Sequence, residues 1–158
     1  GAYSPDPQAS GQRALANLAL SMLCLDAAKS GDAVWPGRAY QRVKDAGNMT
    51  DRLGALMALT ESHSDLADRA LEHFHKRFAH EALVVDMWFA LQATTPEQAD
   101  GRVFNRVKQL MRHADFSLTN PNRARVIQRL RRSSATTASP IASPIHIPSP
   151  SHPRPNAR

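Results

Sequence analysis

Apolar residues recur along most of the chain at intervals of three and four, the spacing that predicts amphipathic helices. The first such stretch, residues 10–29, is rich in Ala and Leu and is apolar on nearly all sides. A helix of this kind packs between neighbours, so the pattern predicts a neighbour on its N-terminal side that is missing from this chain. Its most regular stripe consists of Leu15, Leu18, Met22 and Leu25.

The same spacing predicts further helices with recognisable starts. After a break at residues 35–37 comes a short helix, and Asn48 is a suitable N-cap for the next one. Either Ser62 or Ser64 begins the helix that follows. Residues 83–92 are dense in large apolar groups and could form a buried strand by composition alone. Their spacing and their helical surroundings favour a helix.

Two Pro residues mark the starts of the last helices. Thr95-Pro96 and Asn120-Pro121 each place an N-cap residue before a Pro at the first helical position. Strand signals are nearly absent. The pattern therefore predicts an all-α fold of antiparallel helix pairs, either a helical solenoid or a bundle. No strict repeat is present in the sequence to decide between them.

The composition divides the 158 residues into three parts. Residues 1–9 read as a lead-in loop and residues 10–130 as the helical domain. Residues 131–158 form a Ser/Pro/Arg tail, and six of the 11 prolines lie beyond position 122. So many prolines prevent both helices and the hydrogen-bond ladders of β-sheets. The sequence therefore predicts a disordered tail.

The excess of positive over negative charge lies at the end of the chain. The net charge is +6, yet residues 1–122 hold 13 Lys and Arg against 14 Asp and Glu. The remaining residues hold seven Arg and no acid. A basic tail can bind nucleic acid non-specifically, but this one has no aromatic side chains for base stacking. We therefore expect no nucleic-acid role for the domain.

Several function classes are disfavoured by what the sequence contains. A single cysteine, Cys24, cannot form an internal disulfide framework, and its apolar neighbours favour a small buried hydrophobe over a nucleophile. No apolar run is long enough for a membrane span. The first residues lack the features of a signal peptide and an initiator Met. We expect a piece of a longer protein without a membrane association.

The histidines do not predict a metal site. His73, His75 and His80 lie close together in sequence, but no acid stands at a ligand spacing from them. His80 and Glu81 begin like the zinc-protease motif H-E-x-x-H, in which the second His follows one turn later. Val84 occupies that position. The sequence thus predicts histidines on a solvated helix face, with no metal ligands and no catalytic residues in this chain.

Three other features leave alternatives open. Asp86, among large apolar residues, is either a surface acid or the buried partner of an Arg. Trp35 and Trp88 fit core positions better than stacking platforms. A basic run is either a solvated helix face or an anion-facing patch, and it consists of Arg123, Arg125, Arg129, Arg131 and Arg132.

Three stretches carry a resemblance to one family. They are Asn48-Met-Thr-Asp-Arg-Leu-Gly-Ala-Leu56, Ala82-Leu-Val-Val-Asp-Met-Trp-Phe-Ala-Leu-Gln-Ala93 and His113-Ala-Asp-Phe-Ser-Leu-Thr-Asn-Pro-Asn-Arg-Ala-Arg125. In this order and spacing they resemble the C-terminal region of bacterial-type aminopeptidase N, a family of zinc metallopeptidases. The resemblance covers about residues 8–130.

This resemblance implies a fold and a function. The family's C-terminal domain is an all-α superhelix of the armadillo/HEAT type that caps the active-site chamber of a cytoplasmic enzyme. Its zinc site lies in a catalytic domain upstream, so the implied partners are that domain and peptide substrates, and this chain itself holds no cofactor. The Asn-Pro-Asn-Arg-x-Arg stretch faces the chamber, which implies substrate contact for Arg125 and Asn122.

The resemblance ends near residue 130, where the family continues with further helix pairs. The Ser/Pro/Arg tail is then either a natural linker or an out-of-frame reading of GC-rich coding DNA, and translation in the other two frames distinguishes them. A stand-alone helical-repeat module that binds other proteins is the alternative to an aminopeptidase fragment.

Overall fold

A computed structural model describes residues 4–98 and 100–125. The described residues form helices joined by loops and turns, with no strand among them. The helices are α1 (Pro7–Ser30), α2 (Val34–Asp45), α3 (Met49–Glu61), α4 (Ala67–Phe78), α5 (Ala82–Thr94) and α6 (Arg102–Leu110). Residues 121–125 are also helical. The predicted disordered tail at 131–158 lies outside the described residues.

Helices pack against those one or two positions away along the chain, as in a helical repeat. α1, α2 and α3 pack against one another. α4 packs against α2, α3 and α5, and α5 also packs against α6. Their shared core contains fully buried side chains from four helices: Val43, Leu56, Leu59, Phe74 and Phe89. The predicted all-α fold is confirmed.

α1 begins earlier than the sequence pattern predicts. Asp6 is its N-cap, and the carboxylate accepts a hydrogen bond from the backbone N–H of Ala9 at 2.9 Å. Pro7 occupies the first helical position, where its missing N–H costs nothing. The lead-in predicted for residues 1–9 therefore ends at Asp6. At the other end Gly31 adopts a left-handed φ of 77° and closes the helix.

One side of α1 is buried and the other is exposed. Leu20, Cys24 and Ala27 face the core. The predicted apolar stripe lies on the opposite side, and its members expose between 42% and 69% of their surface: Leu15, Leu18, Met22 and Leu25. Within the described part of the chain, the neighbour expected on this side of α1 is not present. An exposed apolar stripe is what the sequence predicts for a helix whose neighbour is missing.

The predicted break at residues 35–37 is instead the first turn of α2. The helix begins at Val34, and the side chain of Asp32 accepts a hydrogen bond from the N–H of that residue at 2.7 Å. Pro36 therefore lies in the first turn, where the backbone N–H groups have no acceptor within the helix. A Pro at this place removes no helical hydrogen bond and does not disrupt the helix.

α4 begins after both serines that were predicted to start it. The Ser62 hydroxyl donates backwards to the carbonyl of Ala58 at 2.7 Å, so this residue finishes α3. The Ser64 hydroxyl accepts from the N–H of Leu66 at 3.2 Å and stabilises the intervening turn. The helix then begins at Ala67.

α6 likewise begins later than the Thr95-Pro96 signal predicts. The Thr95 hydroxyl donates to the carbonyl of Leu91 at 3.1 Å and closes α5. The carboxylate of Glu97 instead accepts from the backbone N–H groups of Val103 at 2.9 Å and Phe104 at 2.7 Å, at the start of α6. An acid placed there satisfies free N–H groups and the positive end of the helix dipole.

No helix among the described residues combines the length and the apolar character that a bilayer crossing demands.

Candidate functional site

The polar centre of the C-terminal half is a carboxylate surrounded by donors. Asp86, on α5, lies 2.6 Å from the Nε of Arg123 and forms an ion pair whose side chains are 10% and 12% exposed. The amide groups of Asn120 and Asn122 also donate to this carboxylate, at 3.2 Å and 3.1 Å. Of the two alternatives left open by the sequence, Asp86 is the partner of an Arg.

The environment of Asp86 favours its charged form. Burial alone raises the pKa of this carboxyl, but the hydrogen bonds from Asn122, Arg123 and Asn120, with the charge of Arg123, lower it further than burial raises it. The guanidinium of Arg123 also donates to the carbonyl of Asp115 and lies 5.4 Å from the centre of the Phe89 ring. One Arg thus ties α5 to the loop before residue 121.

Asn120 adds the start of the next helical stretch to this network. Its side-chain oxygen accepts from the backbone N–H of Asn122 at 2.9 Å, while its amide donates to Asp86. The predicted Asn120-Pro121 helix start is therefore confirmed, and residues 121–125 are helical. The ion pair and the cap together fix where the side chains after Pro121 point. The predicted inward positions Val126, Ile127 and Leu130 lie outside the described residues.

A mainly apolar groove of about 460 Å³ lies beside this network. Both residues that the resemblance implies for substrate contact, Asn122 and Arg125, line it. The opposite wall is the outer face of α5, where Leu83 is 73% exposed and Met87 is 38% exposed. The remaining lining comes from Asp86, Ala90, Ala93 and Thr94. The groove can accept an apolar group while Arg125 meets an anion or a carbonyl at its edge.

The histidines are distributed differently from the helix-face prediction. His75 is part-buried, and its Nε2 lies 2.8 Å from the carboxylate of Asp115. His113 lies next to the same carboxylate, with its Nδ1 at 3.7 Å. His80 is exposed, as predicted. No sequence spacing indicates the contact between His75 and Asp115, because 40 positions separate them.

The other candidate side chains lie in the core or at the surface. Cys24 is fully buried, and burial raises the pKa of its thiol, which disfavours the nucleophilic thiolate. Trp88 is buried and Trp35 packs partly against the core. In the basic run, Arg123 is paired with Asp86 and Arg125 is exposed. The other members of that run lie outside the described residues.

Comparison with known proteins identifies related chains. Residues 1–132 match a family model described as a domain of unknown function (DUF3458_C) with ARM repeats. The chain is 36% identical over 127 residues to aminopeptidase N of Caulobacter vibrioides. It is 43% identical over 81 residues to aminopeptidase N of Haemophilus influenzae, and 32% identical over 114 residues to that of Escherichia coli.

These matches involve most of this chain but a small part of each relative. They cover 80%, 51% and 72% of the chain, and 14%, 9% and 12% of the three relatives in the same order. The predicted armadillo-type fold agrees with the ARM repeats of the family model. The chain belongs to this ARM-repeat family, and its sequence corresponds to a segment of the C-terminal domain of aminopeptidase N.

Proposed function

We propose that this chain forms part of the helical cap over the active-site chamber of a cytoplasmic zinc aminopeptidase and contributes no catalytic group. Three relatives named aminopeptidase N support the parent activity. In such an enzyme the metal polarises the scissile carbonyl and activates water. The role of this segment is to shape and line the space that the peptide occupies.

The observation that carries this proposal is the position of Arg125 at the apolar groove. The Asp86–Arg123 ion pair and the Asn120 cap fix the first turn of the helical stretch, and that turn presents Asn122 and Arg125 to the groove. Apolar walls suit peptide side chains, and a guanidinium provides several donors for a carbonyl or carboxylate. This combination suits a surface along which a peptide passes.

Replacing Arg125 by Ala in the complete aminopeptidase should lower kcat/KM for peptides by about ten- to a hundredfold. A hydrogen bond to a charged group contributes about 1.5–3 kcal/mol, and its loss weakens peptide binding without removing a catalytic group. The expected change is therefore mainly in KM. Steady-state hydrolysis of a tripeptide measures it, with Arg112→Ala as the matched control, since Arg112 is exposed and does not line the groove. Equal kinetics for both variants would contradict the role of Arg125.

The 158-residue chain alone should not hydrolyse aminoacyl-nitroanilides, even with added Zn²⁺. The sequence contains no H-E-x-x-H motif, so it lacks that paired-histidine metal site and its general base. Release of nitroaniline by the purified chain, compared with a buffer blank, checks this. Turnover that co-purifies with the chain and requires zinc would refute the assignment of a non-catalytic role.

The second candidate is a stand-alone helical-repeat module that binds another protein. The exposed apolar stripe of α1 argues against it, because a terminal repeat needs a polar outer face. The coding DNA distinguishes the two. A reading frame whose initiator Met directly precedes Gly1 favours the module. An open frame that continues upstream into an H-E-x-x-H motif favours the aminopeptidase.

A further inference from the structure

We propose that His75, His113 and Asp115 form a binding site for a divalent transition-metal ion of the zinc class. One potential ligand atom from each residue lies within 4.8 Å of the others. His75 comes from α4, while the other two residues come from the turn that follows α6. The fold, rather than the sequence spacing, assembles this set.

The distances between the ligand atoms suit a small metal ion. With bonds of about 2.0–2.1 Å, two ligands of a tetrahedral zinc ion stand about 3.3 Å apart. The Asp115 carboxylate lies 2.8 Å from the Nε2 of His75 and 3.7 Å from the Nδ1 of His113. Both distances lie within about half an ångström of the required value. The ligand atoms of the two histidines lie within 4.8 Å of each other, so side-chain rotation has to bring all three groups onto one ion.

Aromatic packing holds the two imidazole rings in place. The His75 ring centre lies 4.7 Å from the ring of Trp88 and 4.9 Å from that of His113. The indole N–H of Trp88 donates to the carbonyl of Leu71 at 3.0 Å, which fixes the indole between α4 and α5. The centre of the Phe89 ring lies 5.7 Å from that of the His113 ring. Rings ordered in advance lose little conformational entropy when they bind a metal.

The hydrogen bonding of the His113 ring is also suitable. The backbone N–H of Asp115 points at the Nδ1 of this ring from 3.2 Å. A backbone N–H can only donate, so Nδ1 carries the lone pair, which is the form that binds metals. The ion would take the place of this weak hydrogen bond and of the His75–Asp115 bond.

The donor set determines the class of ion. Two imidazoles and a carboxylate suit Zn²⁺, Co²⁺, Ni²⁺ and Cu²⁺, whereas Mg²⁺ and Ca²⁺ prefer oxygen ligands. A groove lined by His75, Trp88 and His113 runs alongside the cluster, so water can reach the remaining coordination positions. This predicts selective binding of transition ions over Mg²⁺.

Trp88 supplies a direct signal for metal binding, because Co²⁺ and Ni²⁺ quench a nearby indole. The experiment uses the 158-residue chain without an affinity tag and with Trp35→Phe, which leaves Trp88 as the single tryptophan. Addition of Co²⁺ should quench its fluorescence in a saturable manner with one ion per chain. EDTA should reverse the quenching, Zn²⁺ should compete for the site, and millimolar Mg²⁺ should have no effect.

Variants of the ligands decide whether this site is responsible. His113→Gln and Asp115→Asn should each raise the Co²⁺ dissociation constant at least tenfold. His80→Gln is the matched control and should bind Co²⁺ like the parent chain, because His80 lies outside the cluster. Far-UV circular dichroism confirms that each variant remains helical.

Other results would overturn the proposal. Quenching that does not saturate, or that survives both His113→Gln and Asp115→Asn, shows adventitious binding at scattered surface histidines. Loss of binding in His80→Gln would place the ion elsewhere. If His113→Gln leaves binding unchanged while Asp115→Asn alters it, the cluster is a His75–Asp115 ion pair and not a three-ligand site.

Discussion

Replacing Asp86 by Ala should lower the free energy of unfolding by about 3–5 kcal/mol, the cost of leaving one member of a buried ion pair without its partner. Arg123 would keep its charge in a site where its side chain is 12% exposed. Asn120 and Asn122 would also lose the acceptor of their amide groups. Urea denaturation followed by circular dichroism measures the difference.

Two further variants separate charge from packing. Asp86→Asn keeps the volume and one acceptor but removes the charge, so we expect an intermediate loss of stability. In the double variant Asp86→Ala/Arg123→Ala the loss should be less than the sum of the two single losses, because no unpaired charge remains. Fully additive losses would show that the two side chains do not interact energetically in solution.

The lowered pKa of Asp86 also determines how stability responds to pH. Because the folded-state pKa lies below the ordinary value near 4, the folded chain holds this proton less tightly than the unfolded chain does. The stabilisation is therefore fully present above about pH 4 and is lost as pH falls through the folded-state pKa. In Asp86→Asn this part of the acid dependence should be missing.

Replacing Arg52 by Ala should have the second-largest effect, a loss of about 2–4 kcal/mol. Arg52 is a nearly buried Arg on α3 whose guanidinium donates to the carbonyls of Val43, Lys44 and Ala46 at the end of α2. Those carbonyls have no partner further along a helix, and a buried polar group without a partner costs about 1–3 kcal/mol. The methylene stem of Arg52 contributes packing as well.

The matched control for Arg52 is Arg69→Ala, an exposed position on the neighbouring helix α4. Its unfolding free energy should change by less than about 1 kcal/mol. Arg52→Lys should recover part of the stability, since an ammonium can reach one or two carbonyls but lacks the planar fork of donors. A thermal or urea midpoint for Arg52→Ala equal to that of Arg69→Ala would contradict a stabilising role for the hydrogen bonds from Arg52 to the end of α2.

Local sequence signals succeeded where the residue acts on its own helix. Asn48 caps α3 by accepting from the N–H of Asp51 at 2.8 Å, as predicted, and Asn120 does the same for the stretch after it. Residues 83–92 are helical because spacing outweighs β-propensity there. In each case the bonding partners lie within a few positions, so the sequence contains the information.

The predicted starts of α4 and α6 were wrong because the side chains expected to cap them had a choice of hydrogen-bond partners. A Thr or Ser between two helices can accept from the helix ahead or donate to the one behind. Thr95 and Ser62 both donate backwards, and the start of α6 is bound by Glu97 instead. Tertiary packing decides between these two partners, and the spacing of apolar residues along the chain contains no information about that choice.

The same distinction applies to the candidate sites. The resemblance, not the residues alone, led to Asn122 and Arg125, and their role at the groove stays a prediction. The sequence left the partner of Asp86 undecided because Arg123 lies 37 positions away. The contact between His75 and Asp115 depends in the same way on how α4 packs near the turn after α6.

The exposed stripe of α1 has a consequence for the turnover of this chain in a cell. Four large apolar side chains in a row on an exposed helix form the kind of surface that chaperones bind and quality-control proteases recognise. A copy made without a covering neighbour would be removed faster than one whose stripe is covered. The cellular abundance of the chain would then indicate whether another element or protein covers the apolar stripe of α1.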